Sequence, residues 1–356
     1  MKATKLIIFL CLTIILILII LFRIFLWWNE SPILQKRSNP PITTLNIQND
    51  RNNKKETKLN LKIVTYNIHF GIGEDGKTIK IDKKSYENRL DQIAKILKTI
   101  DADIVFLQEI DFTSKRSHLI NQKRYIAKKA GYNYMAIAPT LRGKFHLNYH
   151  RVSGKIKMGL CVLSKHPIIY NEAYVFENSK DIPFFATWLY DPHGAQKCTI
   201  NFNGKNINLI NVHLDPWSHT EREKQINIVK NLWLKDIKIP TIIGGDFNSI
   251  SPNEPKKEGL YLDDAPWFIN KDNLAIKDEN SIKILLKLGF KEAAANKLSI
   301  KAKNNFTYPS IDPKEKIDYI FAGYRTRVIK GHVYTDAKTA SDHLPVVAEI
   351  KINGKN

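Results

Sequence analysis

LDQIAKILKTIDADIVFLQE, residues 90–109, changes its hydrophobic period halfway along, and that change decides the fold class. Leu90, Ile93, Ala94 and Leu97 recur at helical spacing, whereas DIVFLQE (103–109) is an apolar run of strand length. Upstream, IVTY (63–66) is a second such run, so strand, helix and strand follow one another in an α/β rhythm. The rhythm continues toward the C-terminus. MGLCVLS (158–164) precedes CTINF and KNINLINVHL, which are joined by the hairpin dipeptide Asn203-Gly204. Thr220 and Glu223 have the spacing of a capping box at the head of another helix. PTIIGGDF (240–247) follows, then a helix near Ser281–Leu288, then KIDYIF (316–321) and LPVVAEI (344–350). No repeat occurs at a solenoid period. Residues 251–280 contain Pro and Asp with little periodicity and read as a long loop or insertion.

The first thirty residues are of another kind. Leu6 to Phe22 is apolar apart from Thr13; Arg23 interrupts, and Ile24 to Trp28 resumes the run. As one helix, residues 6–28 would reach roughly 34 Å, enough to cross a hydrocarbon core. Trp27 and Trp28 suit the interface, and Arg23 can snorkel. The segment is too long for an ordinary signal peptide and no small-x-small cleavage site follows, so residues 1–28 are expected to be an uncleaved transmembrane anchor. Lys2 and Lys5 with the amino terminus nearly balance Lys36 and Arg37; the expected orientation has a cytoplasmic N-terminus and an extracytoplasmic globular part. Residues 29–58, with Pro32, Pro40, Pro41 and many Asn and Thr, read as a tether, and the globular domain as 59–356.

Lys and Arg number 55 against 35 Asp and Glu, a net charge of +20 that favours polyanionic partners: nucleic acid, anionic lipid or phosphorylated molecules. Between Phe112 and Asn171 the bias is complete. That run holds twelve Lys or Arg and no Asp or Glu, with His118, His146, His150 and several tyrosines interspersed. Any single lysine there reads as solvated surface; the run as a whole reads as facing a polyanion such as a phosphate backbone. Cys11 lies in the apolar N-terminus, leaving Cys161 and Cys198, a pair without zinc-like spacing, so neither a disulfide scaffold nor a cysteine metal site is expected.

Polar residues recur where the apolar runs stop. Asn67 follows IVTY, Glu109 closes DIVFLQE, His213 ends INLINV, Asp246 and Asn248 follow PTIIGG, Asp318 sits in KIDYIF, and Asp342-His343 precedes LPVVAEI. Crevices of α/β sheets form at strand ends. Glu109 and Asp342 are hard oxygen donors suited to magnesium or manganese, and Asn67 adds a neutral oxygen. Asp246 can orient or deprotonate an attacking water, and Asn248 can donate to phosphoryl oxygens. His343 beside Asp318 would stay protonated and donate to phosphate, with His213 the candidate acid for the leaving oxygen. Each alone is ordinary, since strand-end Asp is a frequent turn former and a lone His usually satisfies a local hydrogen bond.

Taken in order, TYNIHFG, FLQEID followed by KRS, KMGLCVLSKHPI, NVHLDP, GGDFNS, KIDYIF and SDHLPV resemble the motifs of the endonuclease/exonuclease/phosphatase superfamily, over roughly residues 60–352. The resemblance implies a four-layer α/β sandwich, two mixed β-sheets face to face with helices outside, here behind an N-terminal transmembrane helix. It implies Asn67, Glu109 and Asp342 around Mg2+ or Mn2+, Asp246 and Asn248 at nucleophile and phosphate, Asp318 paired with His343, and His213 as in the histidine-bearing branch. Arg116, after FLQEID, is expected at a substrate phosphate or in a salt bridge, and Asn211 is expected at the substrate. The implied protein is a membrane-anchored, metal-dependent phosphodiesterase, foremost a nuclease on DNA or RNA. A phospholipid headgroup hydrolase of sphingomyelinase type and a non-catalytic polyanion-binding module are the alternatives. KIDYIF lacks the Trp and Cys of the inositol-polyphosphate phosphatases, and no protein partner can be inferred.

Overall fold

The computed structural model describes residues 2–29, 36–45, 47, 59–74, 81–148, 151–179, 182, 190–252, 280–295 and 305–353. Its strands, in chain order, are β1 (Arg37–Ser38), β2 (Ile42–Thr44), β3 (Asn60–Asn67), β4 (Ile104–Asp111), β5 (Tyr134–Asn148), β6 (Arg151–Ser164) and β7 (Ile168–Val175). These are followed by β8 (Gly194–Phe202), β9 (Lys205–His213), β10 (Thr241–Asp246), β11 (Lys291–Glu292), β12 (Asp318–Ala322), β13 (Thr326–Val333) and β14 (Val346–Ile352). The helices are α1 (Lys2–Trp28), α2 (Lys83–Ile100), α3 (Gln122–Ala130), α4 (His219–Val229) and α5 (Ser281–Lys287).

Two seven-stranded mixed sheets result, ordered β1-β7-β8-β9-β10-β12-β11 and β13-β14-β3-β4-β6-β5-β2. Strand alternation assigns each side chain to a layer. Leu61, Ile63, Ile104, Phe106, Ile207, Leu209, Ile242 and Ile320 point between the sheets and form the central core. Their neighbours of opposite parity face outward: Val64, Val105 and Leu107 pack with Leu90, Ile93 and Leu97 of α2. On the other sheet Ile210, Val212, Ile243 and Phe321 pack with Ile226 of α4 and Leu285 of α5. The helix–sheet–sheet–helix order expected from the motifs is therefore the order found.

Several local expectations are corrected. Helix α4 is capped by Ser218, whose side chain accepts from Glu221 N, not by the Thr220 and Glu223 pair. Asp215 sets that cap by accepting from the backbone N–H groups of Trp217 and Ser218. Part of the expected tether is sheet: Arg37 and Ser38 pair with Tyr174 and Ala173 of β7, and Ile42 to Thr44 with Ala136 to Tyr134 of β5. Short edge strands carry little periodicity, which is why composition alone read this stretch as a linker. The expected loop or insertion at 251–280 lies, apart from its ends, outside the described residues.

Helix α1 holds 22 residues, Thr4–Phe25, long and apolar enough to cross a membrane, and none of its most apolar window is buried against the rest of the chain. A signal sequence passes the same test.

Gly244 and Gly245 do different work in β10. Gly244 faces the opposite sheet, where a Cβ would lie 3.0 Å from the Phe106 ring. Gly245 has φ +147, and a Cβ there would lie 1.9 Å from the carbonyl oxygen of Val212 on the adjacent β9. Gly245→Ala should therefore push the strands apart at the residues that carry His213 and Asp246. We expect a loss of about 3 kcal/mol or more, the upper end for overpacked cores, in a denaturant melt. A wild-type midpoint in that melt would refute the close approach.

Candidate active site

Parity also explains how distant residues meet. Asn67, His213, Asp246 and Asp318 each share the inward-facing parity of the central core and each stands at a strand end. Register then puts them side by side. Asp246 pairs with His213 across the parallel β9–β10 ladder and with Asp318 across the antiparallel β10–β12 ladder. On the facing sheet Asn67 pairs with Gln108, so Glu109 has the wrong parity. A register break between Leu107 and Ile110 and a left-handed φ of 52 at Glu109 re-aim its carboxylate toward Asn67. Such a bulge is a common device for turning one side chain toward a site.

The resulting contacts are dense. Asn67 Nδ2 donates to Glu109 Oε1 and to Asp246 Oδ2, both at 3.0 Å, while Asn67 Oδ1 accepts from His69 N at 3.0 Å. Asn248 N donates to Asp246 Oδ1 at 2.9 Å. His343 Nδ1 donates to Asp318 Oδ2 at 2.9 Å, and its Nε2 lies 3.8 Å from Asp246 Oδ2. His213 Nε2 lies 3.6 Å from Asp246 and 3.8 Å from Glu109. His69 Nδ1 lies 3.2 Å from Asp342 Oδ2 and hydrogen-bonds the Gly73 carbonyl at 3.0 Å. Ser341 Oγ reaches Asn67 O and Asp342 Oδ1, tying the β14 approach to β3.

Electrostatics divide these groups. Burial, then the negative charge of Asp318, pushes Asp246 up to about 7. Burial likewise raises Glu109, with Asp342 adding to the effect and His69 opposing it. Burial disfavours a charged His343, but Asp318 and Asp246 outweigh it and hold the ring well above its usual value. His213 goes the other way: burial, His193 and His343 bring it well below the usual range despite the nearby carboxylates. The two carboxylates closest to it are themselves displaced toward their neutral forms, so they offer it little compensating charge.

The donor set fits a divalent cation. Glu109, Asp246, Asp318 and Asp342 converge, and among the described residues none is ion-paired to Lys or Arg. Asp318 Oδ1 is buried and has no hydrogen-bond partner among the described residues. Two sets of ligands present themselves. Asp246, Asp318 and His343 offer ligand atoms within 4.8 Å of one another. A histidine held protonated, however, is no ligand, because a metal needs the neutral ring. Glu109 and Asp342, with Asn67, are free of that objection and match the oxygen preference of Mg2+ and Mn2+.

Not every expected residue joins them. Asn211 is fully buried between the sheets, its amide donating to the Leu107 and Cys161 carbonyls and accepting from Gln108 Nε2, so it ties the layers together. The Arg116 side chain is only 5% exposed. Its guanidinium forks onto Asp111 at 3.0 and 2.9 Å and lies 3.5 Å from the centroid of the Phe70 ring, so the salt bridge, not a substrate phosphate, occupies it. Three neighbours went unnoticed in the sequence. His69 stands two residues from Asn67 in TYNIHFG, and that proximity was the available signal. Tyr308 lies 5.0 Å from the His343 ring and His193 packs edge-on to His213 at 4.5 Å; neither lies at the end of an apolar run.

The chain was also compared with known proteins. The model of the Endonuclease/Exonuclease/phosphatase family matches residues 64–343. Similar solved structures include an endonuclease/exonuclease/phosphatase from Beutenbergia cavernae, 19% identical, covering 83% of this chain and 72% of that one with a TM-score of 0.59. A conserved protein of unknown function from Enterococcus faecalis is 18% identical, covering 82% of this chain and 100% of that one with a TM-score of 0.53. A mannosyl-6-phosphatase from Bacteroides thetaiotaomicron is 17% identical, covering 82% and 99% with a TM-score of 0.51. No curated protein matches.

Proposed function

The chain belongs to the endonuclease/exonuclease/phosphatase family and is a hydrolase of phosphoester bonds, and from that premise we propose that it is a membrane-anchored, Mg2+- or Mn2+-dependent phosphodiesterase acting on nucleic acid. The observation that carries the reading is the pairing of a carboxylate near neutrality, Asp246, with a charged donor, His343, 3.8 Å away. Asn67, Glu109 and Asp342 would hold the cation, which when bound supplies charge to polarise a phosphoryl oxygen. Asp246, fixed by Asn67 and by the Asn248 backbone, takes a proton from the attacking water. His343, held charged by Asp318, donates to a non-bridging oxygen as charge grows there. Asn248 gives its side-chain amide to the Leu214 carbonyl, so its main service is to position Asp246. His213, neutral by burial, donates a hydrogen bond beside the departing oxygen more readily than a proton.

The net charge of +20 supports a nucleic-acid substrate. A phospholipid headgroup is the second reading, favoured by the two hydrogen bonds between Asn29, at the end of α1, and Phe145 of β5. The full-length protein should cleave bis-p-nitrophenyl phosphate when Mg2+ or Mn2+ is present and stop when the cation is chelated. Parallel assays on DNA, RNA, sphingomyelin and phosphoinositides then select the substrate. Turnover indifferent to a chelator would overturn the metal requirement, and hydrolysis of sphingomyelin alone would overturn the nucleic-acid reading.

A further inference from the structure

Resting on the membrane reading of α1, and independent of which phosphodiester the site accepts, we infer that the β5–β6 hairpin seats on an anionic bilayer surface and fixes the domain there. The first observation is the joint between helix and hairpin. Asn29, directly after α1 and 7% exposed, donates from Nδ2 to the Phe145 carbonyl at 2.7 Å and accepts from Phe145 N at 2.6 Å. This two-point bond copies the way one strand residue pairs with another. A Cβ on Gly143 would lie 3.3 Å from Asn29 Oδ1, so glycine there suits the approach. Phe25 packs edge-on to Phe145 at 6.1 Å, and Lys144 Nζ stands 5.6 Å from the Trp28 ring. Tryptophan at the end of a span marks headgroup depth, so the hairpin lies level with the headgroups.

The second observation is the charge that this hairpin brings to that level. Arg142, Lys144 and Lys155 are exposed and Lys157 is half-buried, while Gly143 and Ile156 between them are buried. Arg142 is directly opposite Lys157 across the two strands. Burial lowers the Lys157 pKa, and Arg142 and Lys123 lower it further. The run from 112 to 171 carries no Asp or Glu. Exposed basic side chains beside a membrane span are drawn to anionic headgroups, and the Asn29 joint sets Arg142, Lys144 and Lys155 at that depth.

Amide hydrogen exchange on the full chain, reconstituted in vesicles, tests this. In phosphatidylcholine vesicles containing phosphatidylglycerol, amides of residues 142–157 should exchange more slowly than in phosphatidylcholine alone, with α2 unchanged. Raised salt should abolish the difference, as should the combined Arg142→Glu, Lys144→Glu and Lys155→Glu variant, whose positions are exposed and tolerate charge. Equal exchange in both vesicles, with the protein floating in both, would overturn the docking and leave the anchor standing. Failure to float would overturn the anchor and the docking together. Protection induced by added duplex DNA in phosphatidylcholine vesicles, and not by phosphatidylglycerol, would reassign the face to nucleic acid.

Discussion

Asp246→Asn should lower kcat by roughly 10²- to 10⁴-fold, the range for a lost general base, with KM little altered. Asparagine keeps the volume and can still accept from Asn248 N, yet it cannot take a proton from water. The carboxylate it replaces receives two hydrogen bonds and faces the Nε2 atoms of both His213 and His343, so no other group in the described site is placed to substitute. A variant within threefold of wild type, about 0.65 kcal/mol of barrier, would remove Asp246 from the chemistry.

The same substitution has an opposite consequence for stability. Folding raises the Asp246 pKa from 3.8 to about 7, so ionisation is harder in the folded protein than in the unfolded chain. A raised pKa contributes stability that is intact below the unfolded value and lost as pH climbs through the folded one. In metal-free protein, the melting temperature of Asp246→Asn relative to wild type should therefore increase between about pH 4 and pH 7 and level off above. Saturating Mg2+ or Mn2+ should erase that pH-dependent gain by giving the wild-type carboxylates their counter-charge. A melting difference that does not change with pH would mean that Asp246 is an ordinary carboxylate.

His343→Ala should cost roughly 3 to 4 kcal/mol of transition-state stabilisation, as loss of a key electrostatic donor does. Alanine removes the charged donor and also strands Asp318, whose Oδ1 lacks a partner and whose Oδ2 bonds only His343 among the described residues. Asp318→Asn separates the two effects. It leaves the ring in place while removing the charge that keeps it protonated, so its rate should fall less than that of His343→Ala and its pH profile should shift toward acid. Wild-type turnover by His343→Ala would exclude the ring from the site.

The layers were legible because burial leaves a period. Leu90, Ile93 and Leu97 announced α2 and the apolar runs at 63–66 and 103–109 announced strands, whereas the facing of two sheets was implied by the family motifs alone. The strand-end residues were legible because Asn67, His213 and Asp246 stand where apolar runs stop and Asp318 interrupts one; that all four face the core came only with the structure. Pairing partners were not. Nothing in FLQEID separates an arginine that binds substrate from one that folds back five residues onto Asp111 and covers Phe70. Asn211 misled for a related reason: an amide inside a strand needs partners from another layer, and only the approach of β4 and β6 supplies the Leu107 and Cys161 carbonyls. The cap at Ser218 was missed because Asp215, three residues upstream, decides where the turn closes.

Strands β1 and β2 lie on opposite sheets although only Asn39, Pro40 and Pro41 separate them. The segment from 37 to 44 is thus a clasp across both layers, and its position sets where the chain can be cut. A protease acting ahead of Arg37 would shed a complete catalytic body with every edge strand still seated. A cut inside 39–41 would leave the clasp in two halves, and a recombinant form begun at Leu59 would lack it altogether. That trimmed form presents the bare edges of β5 and β7, the sort of unpaired backbone that recruits further copies and drives precipitation.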